Sequence, residues 1–263
     1  MPLVSVIMGV HNSESEKLKA AVESVLSQSM SDIEFIICND GSDNGTDRLL
    51  SEISDGRVKI ITFKENRGLA SALNACIDMA QGKYIARQDD DDISLPGRFE
   101  KQTAYLDSHT DIDFIGTACE LYSENDGVYD ERIMPLTVEK SSFLFNSPFI
   151  HGSMMFRREV FDKNRYRTLG KNKKYEDYDL FMTLYAVGYK AANIEEKLYR
   201  FHYDKSKRGV SYSMRRDEFR VRIEGFRKLG LMPKGFFYAL KPLILGLVPR
   251  KAVMKIKEKT GRV

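Results

Sequence analysis

Apolar runs of β-branched residues alternate with stretches whose apolar positions recur every three to four residues. Residues 3–10 (LVSVIMGV) form a short strand-like run stopped by His11-Asn12, and residues 32–38 form a second, stopped by Asn39-Asp40-Gly41-Ser42. Between them, residues 14–28 place Leu18, Ala21, Val22, Val25 and Leu26 on one helical face. The unit repeats: strands are predicted over 58–63 (VKIITF) and 83–87 (KYIAR), around a helix over 69–80 that aligns Leu73, Ile77 and Ala80. Strands alternating with helices of this length predict an α/β fold, a Rossmann-like and mostly parallel central sheet flanked by helices.

After Arg87 the rhythm loosens. Ser94 has the chemistry of an N-cap, with Pro96 in the first turn of a helix reaching Ser108. Strands are expected over 113–119, 153–156 and up to His202, and helices over 176–187 and 219–229. No repeat, low-complexity segment or Pro/Gly/Ser-rich linker divides residues 1–224. These form one expected catalytic domain, followed by a basic amphipathic helical tail over 225–263.

Composition and charge sharpen this picture. With 263 residues, 42% of them hydrophobic, the chain can bury one sizeable core, which excludes wholesale disorder. No apolar run is long enough for a membrane-crossing helix and the start lacks a secretory signal pattern, so the cytoplasm is the expected location. Cys38, Cys76 and Cys119 are odd in number and widely spaced, as expected of buried reduced thiols. The net charge of +3 is unevenly spread: residues 225–263 carry ten Lys or Arg against the single acid Glu258, leaving an acidic body. That distribution points away from nucleic acid and toward a tail that meets an anionic surface. Residues 235–249 are apolar apart from Lys241 and are followed by Arg250, Lys251, Lys255, Lys257 and Lys259. Residues 235–259 are therefore expected to lie on an anionic membrane, at the inner face of the plasma membrane. The plainer alternative is that Phe236, Phe237, Leu240 and Leu243 pack on the body or on a second copy in a homodimer.

In an open parallel sheet, ligands bind beyond the carboxyl ends of the strands. The polar loops fall there: Val10-His11-Asn12, Asn39 to Asp43, Asn66-Arg67-Gly68, and Asp89-Asp90-Asp91-Asp92. Four adjacent carboxylates repel one another, and their hard oxygens suit Mg²⁺ or Mn²⁺ shared with substrate phosphates. The alternative is a solvated acidic loop in which Asp92 and Ser94 start a helix. Asp40 is placed to accept from a nucleobase N–H or ribose hydroxyl, or else serves its own turn. Arg67 offers a fork for a diphosphate or a surface ion pair. Glu176-Asp177 opens a helix, where acids are favoured in any case, and one of them facing the same rim would take a proton from an attacking hydroxyl. His202 is a metal or phosphate contact of lesser support, and His151 has less still. Residues 120–147 and 162–174 are expected to shape an acceptor site, the second being rich in Lys and Arg.

Taken together, the segments VSVIMGVHN, SVLSQS, FIICNDGSDNGT, ENRGLASALN, ARQDDDDISLPGRFEKQ, HGSMMFRREVF, YEDYDLFMTL and LYRFH resemble the family 2 inverting glycosyltransferases. The resemblance spans residues 4–206 and implies the nucleotide-sugar-binding GT-A fold. It implies that Val10 and His11 line a nucleobase pocket, Asp40 bonds a uracil-type base, Arg67 lies near the diphosphate, and Asp90 lies near the ribose. Asp91 falls at the metal position with Asp89 beside it, Asp177 matches the catalytic base, and Glu176 stands on the acceptor side. His11 replaces a frequent tyrosine, and four acids replace an interrupted pair, so the choice among Asp89, Asp90 and Asp91 stays open. The implied reaction moves a sugar from a nucleotide-sugar donor, a UDP-sugar, to a hydroxyl of a glycan or lipid-linked glycan, as in cell-surface polysaccharide synthesis, with Mn²⁺ or Mg²⁺ as cofactor. A sugar nucleotidyltransferase would need a GGxGxR-like phosphate loop, which GVHNSES does not supply. A non-catalytic nucleotide-sugar scaffold or sensor is the alternative from outside enzymes, disfavoured by the presence of both acid groups.

Overall fold

The computed structural model describes residues 1–168, 174–204 and 211–247. Strands β1 (Val4–Val10), β2 (Ile33–Asn39), β3 (Val58–Thr62) and β4 (Tyr84–Arg87) run parallel in the order β3-β2-β1-β4. Helices α1 (Ser15–Leu26), α2 (Thr46–Ser51) and α3 (Leu69–Met79) make the crossovers. Because β2 and β3 add to one side of β1 and β4 to the other, the order reverses at β1. A crevice is therefore expected beyond Val10 and Arg87.

Past β4 the sheet becomes mixed. β5 (Ile93–Ser94), β6 (Phe114–Ser123), β7 (Gly127–Arg132), β8 (Met155–Arg157) and β9 (Ala191–His202) continue it as β4-β8-β6-β9-β5, with β7 beside β6. Here β6 and β9 are parallel and the other pairings antiparallel. The parallel character expected of most of the sheet is carried by its first four strands and by the β6–β9 pair.

Side chains alternate across the strands, and each face has its own helices. Val4, Val6, Met8 and Val10 of β1 pack with Leu18, Ala21 and Val25 of α1 and with Phe99 and Leu106 of α4 (Arg98–Ser108). On the other face Ile7, Ile36, Cys38 and Ile85 meet Leu73, Cys76 and Ile77 of α3. Leu180, Phe181 and Leu184 of α5 (Glu176–Ala186) share that core. All three cysteines are free and buried. At the rim opposite the crevice, the buried Glu34 carboxylate accepts from Ser5 Oγ at 2.5 Å, Lys59 Nζ at 2.6 Å and the Gln81 N–H at 2.7 Å.

One expectation about the elements changes. Ser94 is not an N-cap: it is buried in β5, paired with β9, and α4 begins at Arg98 behind Gly97, whose φ is +76°. A residue before proline resists helical geometry, which delays the helix past Leu95-Pro96. Residues 224 and 225 both lie in α6 (Tyr212–Lys228), where Val221, Arg222, Gly225 and Phe226 are all buried. The chain continues through α7 (Lys234–Ala239) and α8 (Lys241–Leu247), and Phe226, Leu229 and Ala239 belong to the main core. Gly235, Ala239 and Pro242 face inward, whereas Phe236, Phe237, Ile244 and Leu247 are exposed. The cationic run from Arg250 onward lies outside the described residues. No helix among the described residues is long and apolar enough to cross a membrane.

Candidate functional site

The loops after β1 and β2 are knitted together. The Asp40 N–H donates to the Val10 carbonyl at 2.8 Å, and His11 Nδ1 lies 2.9 Å from the Asp40 carbonyl. Asn12 adopts φ +53°, donates its N–H to Ser42 Oγ at 3.0 Å and accepts from the Asp43 N–H at 2.9 Å. A non-glycine residue held there by bonds on both sides is backbone strain of the kind that collects at binding sites. Gly41, at φ +65°, has no room for a side chain, because a Cβ would strike the backbone of Glu65 and Asn66.

That close approach brings Asp40 to the start of α3. Its buried carboxylate accepts the N–H groups of Arg67 at 2.6 Å and Gly68 at 2.8 Å, occupying a favourable place for an anion. Asp40 is therefore first a cap that joins β2 to α3, with lone pairs left over for a further donor. Arg67 is exposed, its guanidinium 4.6 Å above the Phe63 ring.

The four aspartates after β4 are not equivalent. Asp89 Oδ2 pairs with the buried Arg87, and its N–H donates to Tyr199 Oη at 3.1 Å. Asp90 accepts from Ser13 Oγ. Asp91 faces His202 Nδ1 at 3.4 Å, and the buried Asp92 accepts the His202 N–H at 2.6 Å. Asp92 is thus a clamp between the loop and β9 rather than a helix start. Asp89, Asp90 and Asp91 each offer an oxygen within 4.8 Å of the others, an all-oxygen donor set that fits Mg²⁺ or Mn²⁺. Burial and the Asp91 charge push the Asp90 carboxyl up to about 7. Burial and Asp89 raise Asp91 and Asp92 as well, so the cluster resists full ionisation without a cation. His202 stands at the edge of this group, its Nε2 3.0 Å from Glu124, which Lys17 also pairs at 3.0 Å.

Glu176 and Asp177 form the first turn of α5, behind Tyr175 at φ +78°. A hydrogen bond between Tyr175 and Glu218 of α6 anchors that strained residue. Burial, then the neighbouring Asp177, pushes Glu176 up to about 7. Burial also raises Asp177, opposed by the N–H groups of Tyr178 and Asp177 itself and by Arg87. Asp89 raises both carboxyls and Arg87 lowers both, and Tyr166 feels Asp177, Glu176 and Asp89 together. The two acid groups, far apart in sequence, therefore lie near enough to feel each other's charge.

His151 is half-buried, with Nε2 2.8 Å from Tyr166 Oη. Burial and Arg87 hold it well below the usual histidine range, as a neutral prop. In the basic loop before α5 both arginines pair with protein acids. Arg165 pairs with Asp78 at 2.9 Å, and Arg167 pairs with Asp179 at 2.8 Å and Glu224 at 2.7 Å. Residues 169–173 of that loop lie outside the described residues. Sequence reasoning missed Arg87, Ser13, Tyr166 and Tyr199. Only Arg87 left a trace, as a charge ending the buried run YIAR.

Comparison with known proteins agrees with this geometry. The model of the family described as "Glycosyl transferase family 2" matches residues 5–165. The chain is 36% identical over 272 residues to "Putative glycosyltransferase EpsE" of Bacillus subtilis, covering 98% of this chain and 96% of that one. Its fold resembles that of S. aureus TarS 1-349 in complex with UDP-GlcNAc, with a TM-score of 0.68 at 18% identity over 94% of this chain and 72% of that one. It also resembles the mannosyltransferase PcManGT from Pyrobaculum calidifontis in complex with GDP-Man and Mn²⁺, with a TM-score of 0.62 at 18% identity over 99% and 80% of the two chains. With the family model covering well over half of its length, this chain belongs to glycosyl transferase family 2 and has the GT-A fold of a nucleotide-sugar-dependent glycosyltransferase.

Proposed function

We propose that this glycosyltransferase moves a sugar from a UDP-sugar to a hydroxyl of a glycan or lipid-linked glycan, with inversion at the anomeric carbon, in cell-surface polysaccharide synthesis. The observation that carries the reading is the oxygen cluster of Asp89, Asp90 and Asp91, with the Glu176–Asp177 turn near enough to feel the Asp89 charge. Val10, His11, Asp40 and Arg67 line the nucleotide end, where the α3 N-terminus adds its partial positive charge. Asp90 and Asp91, with Asp89 beside them, would hold Mn²⁺ or Mg²⁺, which when bound offsets charge on the departing diphosphate. Asp177 takes the proton of the acceptor hydroxyl as it attacks. Its raised pKa makes it a stronger base than an ordinary aspartate, and Glu176 borders the acceptor side. His202 steadies Asp91 from the rim.

The α7–α8 surface supports a location at an anionic membrane. Phe237 and Leu247 are 72% and 76% exposed, and Lys234 and Lys241 begin the two helices. Apolar groups beside cations suit the bilayer interface, where a lipid-linked acceptor would be presented. Two experiments test the reading. In a thermal-shift screen of nucleotide sugars with and without Mn²⁺, a UDP-sugar should stabilise the protein most and the metal should increase the shift. Stabilisation by none of them would refute it. Flotation with anionic vesicles should be weakened by Phe237→Ser with Leu247→Ser, and flotation equal to wild type would remove the membrane component.

A further inference from the structure

Arg87 closes β4 with a side chain that is 1% exposed. Its Nη1 lies against Asp89 Oδ2 as an ion pair, while Nε makes no hydrogen bond among the described residues. Interior N–H groups normally find acceptors, so an arginine spent on one carboxylate with Nε left over is held there by its charge rather than by a closed set of hydrogen bonds. The local packing fixes its partner. A side chain at Gly152 would overlap Tyr199 Oη and come 2.8 Å from Asp89 Oδ2, so the glycine lets these groups close up. Arg87 also lies near enough to the first turn of α5 for its charge to be felt by Glu176 and Asp177, and by Tyr166 and His151. Asp89, in turn, holds Arg87 charged against the desolvation that favours its neutral form.

We infer that Arg87 is a positioning residue for sugar transfer: it fixes the Asp89 carboxylate at the head of β4 and keeps a buried positive charge between the acid run and Asp177. The inference rests on the function proposed above. The charge works in two directions. Toward Asp89 it sets where the first carboxylate of the run points, which leaves Asp90 and Asp91 turned to Ser13 and His202. Toward α5 it favours the ionised base at the moment a second negatively charged group, the donor diphosphate, enters the crevice.

The test uses the full chain with Arg87→Gln and Arg87→Lys. Donor hydrolysis is followed across pH, UDP binding with Mn²⁺ is measured by calorimetry, and melting is recorded. Arg87→Gln should lower kcat about 10²-fold, the size of effect that misplacing a reacting group produces. It should also move the acid limb to higher pH, because Asp177 loses a favourable charge while Glu176, Asp89, Tyr166 and Tyr178 around it are unchanged. UDP–Mn²⁺ affinity should change far less than kcat. Arg87→Lys keeps the charge without the fork, so it should leave the acid limb near its wild-type pH and recover part of the rate. An Arg87→Gln enzyme with wild-type kcat and acid limb overturns the inference, as do equal rate losses in both variants with an unmoved limb. Where the glutamine variant does not fold, the lysine variant decides: reduced kcat with the limb in place supports the inference, and a displaced limb or unchanged kcat overturns it. A wild-type protein that neither binds UDP–Mn²⁺ nor hydrolyses any donor would remove the sugar-transfer reading and this inference with it, whereas an active wild type matched by Arg87→Gln removes the inference alone.

Discussion

Two arginines are buried against the end of β4, and they are used in opposite ways. Arg98, from the α4 side, is fully spent. Its Nε reaches Gln102 at 3.0 Å, Nη1 reaches Ser94 at 2.8 Å and Gln88 at 3.1 Å, and Nη2 reaches the Arg87 and Gly152 carbonyls at 2.7 and 3.0 Å. Arg87, whose carbonyl is one of those acceptors, pairs its own guanidinium with Asp89 and leaves Nε without an acceptor among the described residues. Burial pushes Arg98 down to about 10, whereas the acid beside Arg87 holds it above its ordinary value. Burial alone therefore does not separate a strut from a working charge. The balance of hydrogen bonds does: one side of β4 is closed and structural, and the other is open toward chemistry.

The comparison makes graded predictions. On the open side, Asp177→Asn should lower turnover about 10²- to 10⁴-fold, the usual contribution of a positioned general base, while UDP–Mn²⁺ affinity and melting temperature stay close to wild type. Steady-state kinetics with calorimetry checks this, and a large loss of stability would place Asp177 among the struts. On the closed side, Arg98→Met should cost about 3 kcal/mol in urea unfolding, because several buried acceptors lose their donor at once. Arg87→Gln, with fewer bonds to break, should cost less, and the reverse order would break the contrast. Smallest is the closed network at the far rim. Glu34→Gln should cost about 2 kcal/mol at neutral pH, the scale of a lost charge-assisted hydrogen bond. Its bonds from Lys59, Ser5 and the Gln81 N–H outweigh desolvation and hold Glu34 below the usual glutamate value. That stability is present above the unfolded glutamate pKa and is lost as pH falls through the lower folded value, so the gap between variant and wild type should close in acid.

The first four strands and helices α1 and α3 are legible because buried strands and one-sided helices carry strong apolar periods, whereas the six-residue α2 is too short to show one. β9 was seen only at its end, since exposed Glu195, Glu196 and Lys197 interrupt its apolar pattern. β5 has two residues and exists only because β9 pairs with it, which is how Ser94 was mistaken for a cap. At the site, the loops and both acid groups could be named from residue type and position. The division of labour among the four aspartates could not, because it depends on partners from other elements: Arg87 on β4, Ser13 before α1 and His202 on β9. Likewise the ion pairs of Arg165 and Arg167 with Asp78, Asp179 and Glu224 depend on partners from α3, α5 and α6 that the local sequence does not name.

The most direct test of the account is a crystal structure of the full chain with Mn²⁺ and the nucleotide sugar that stabilises it most. The account predicts the cation on the carboxylates of Asp90 and Asp91, the nucleobase beside His11 and Asp40, and the Asp177 carboxylate facing the anomeric carbon from the opposite wall. A donor bound elsewhere, or one that touches the acid run while Asp177 lies out of reach, would contradict it.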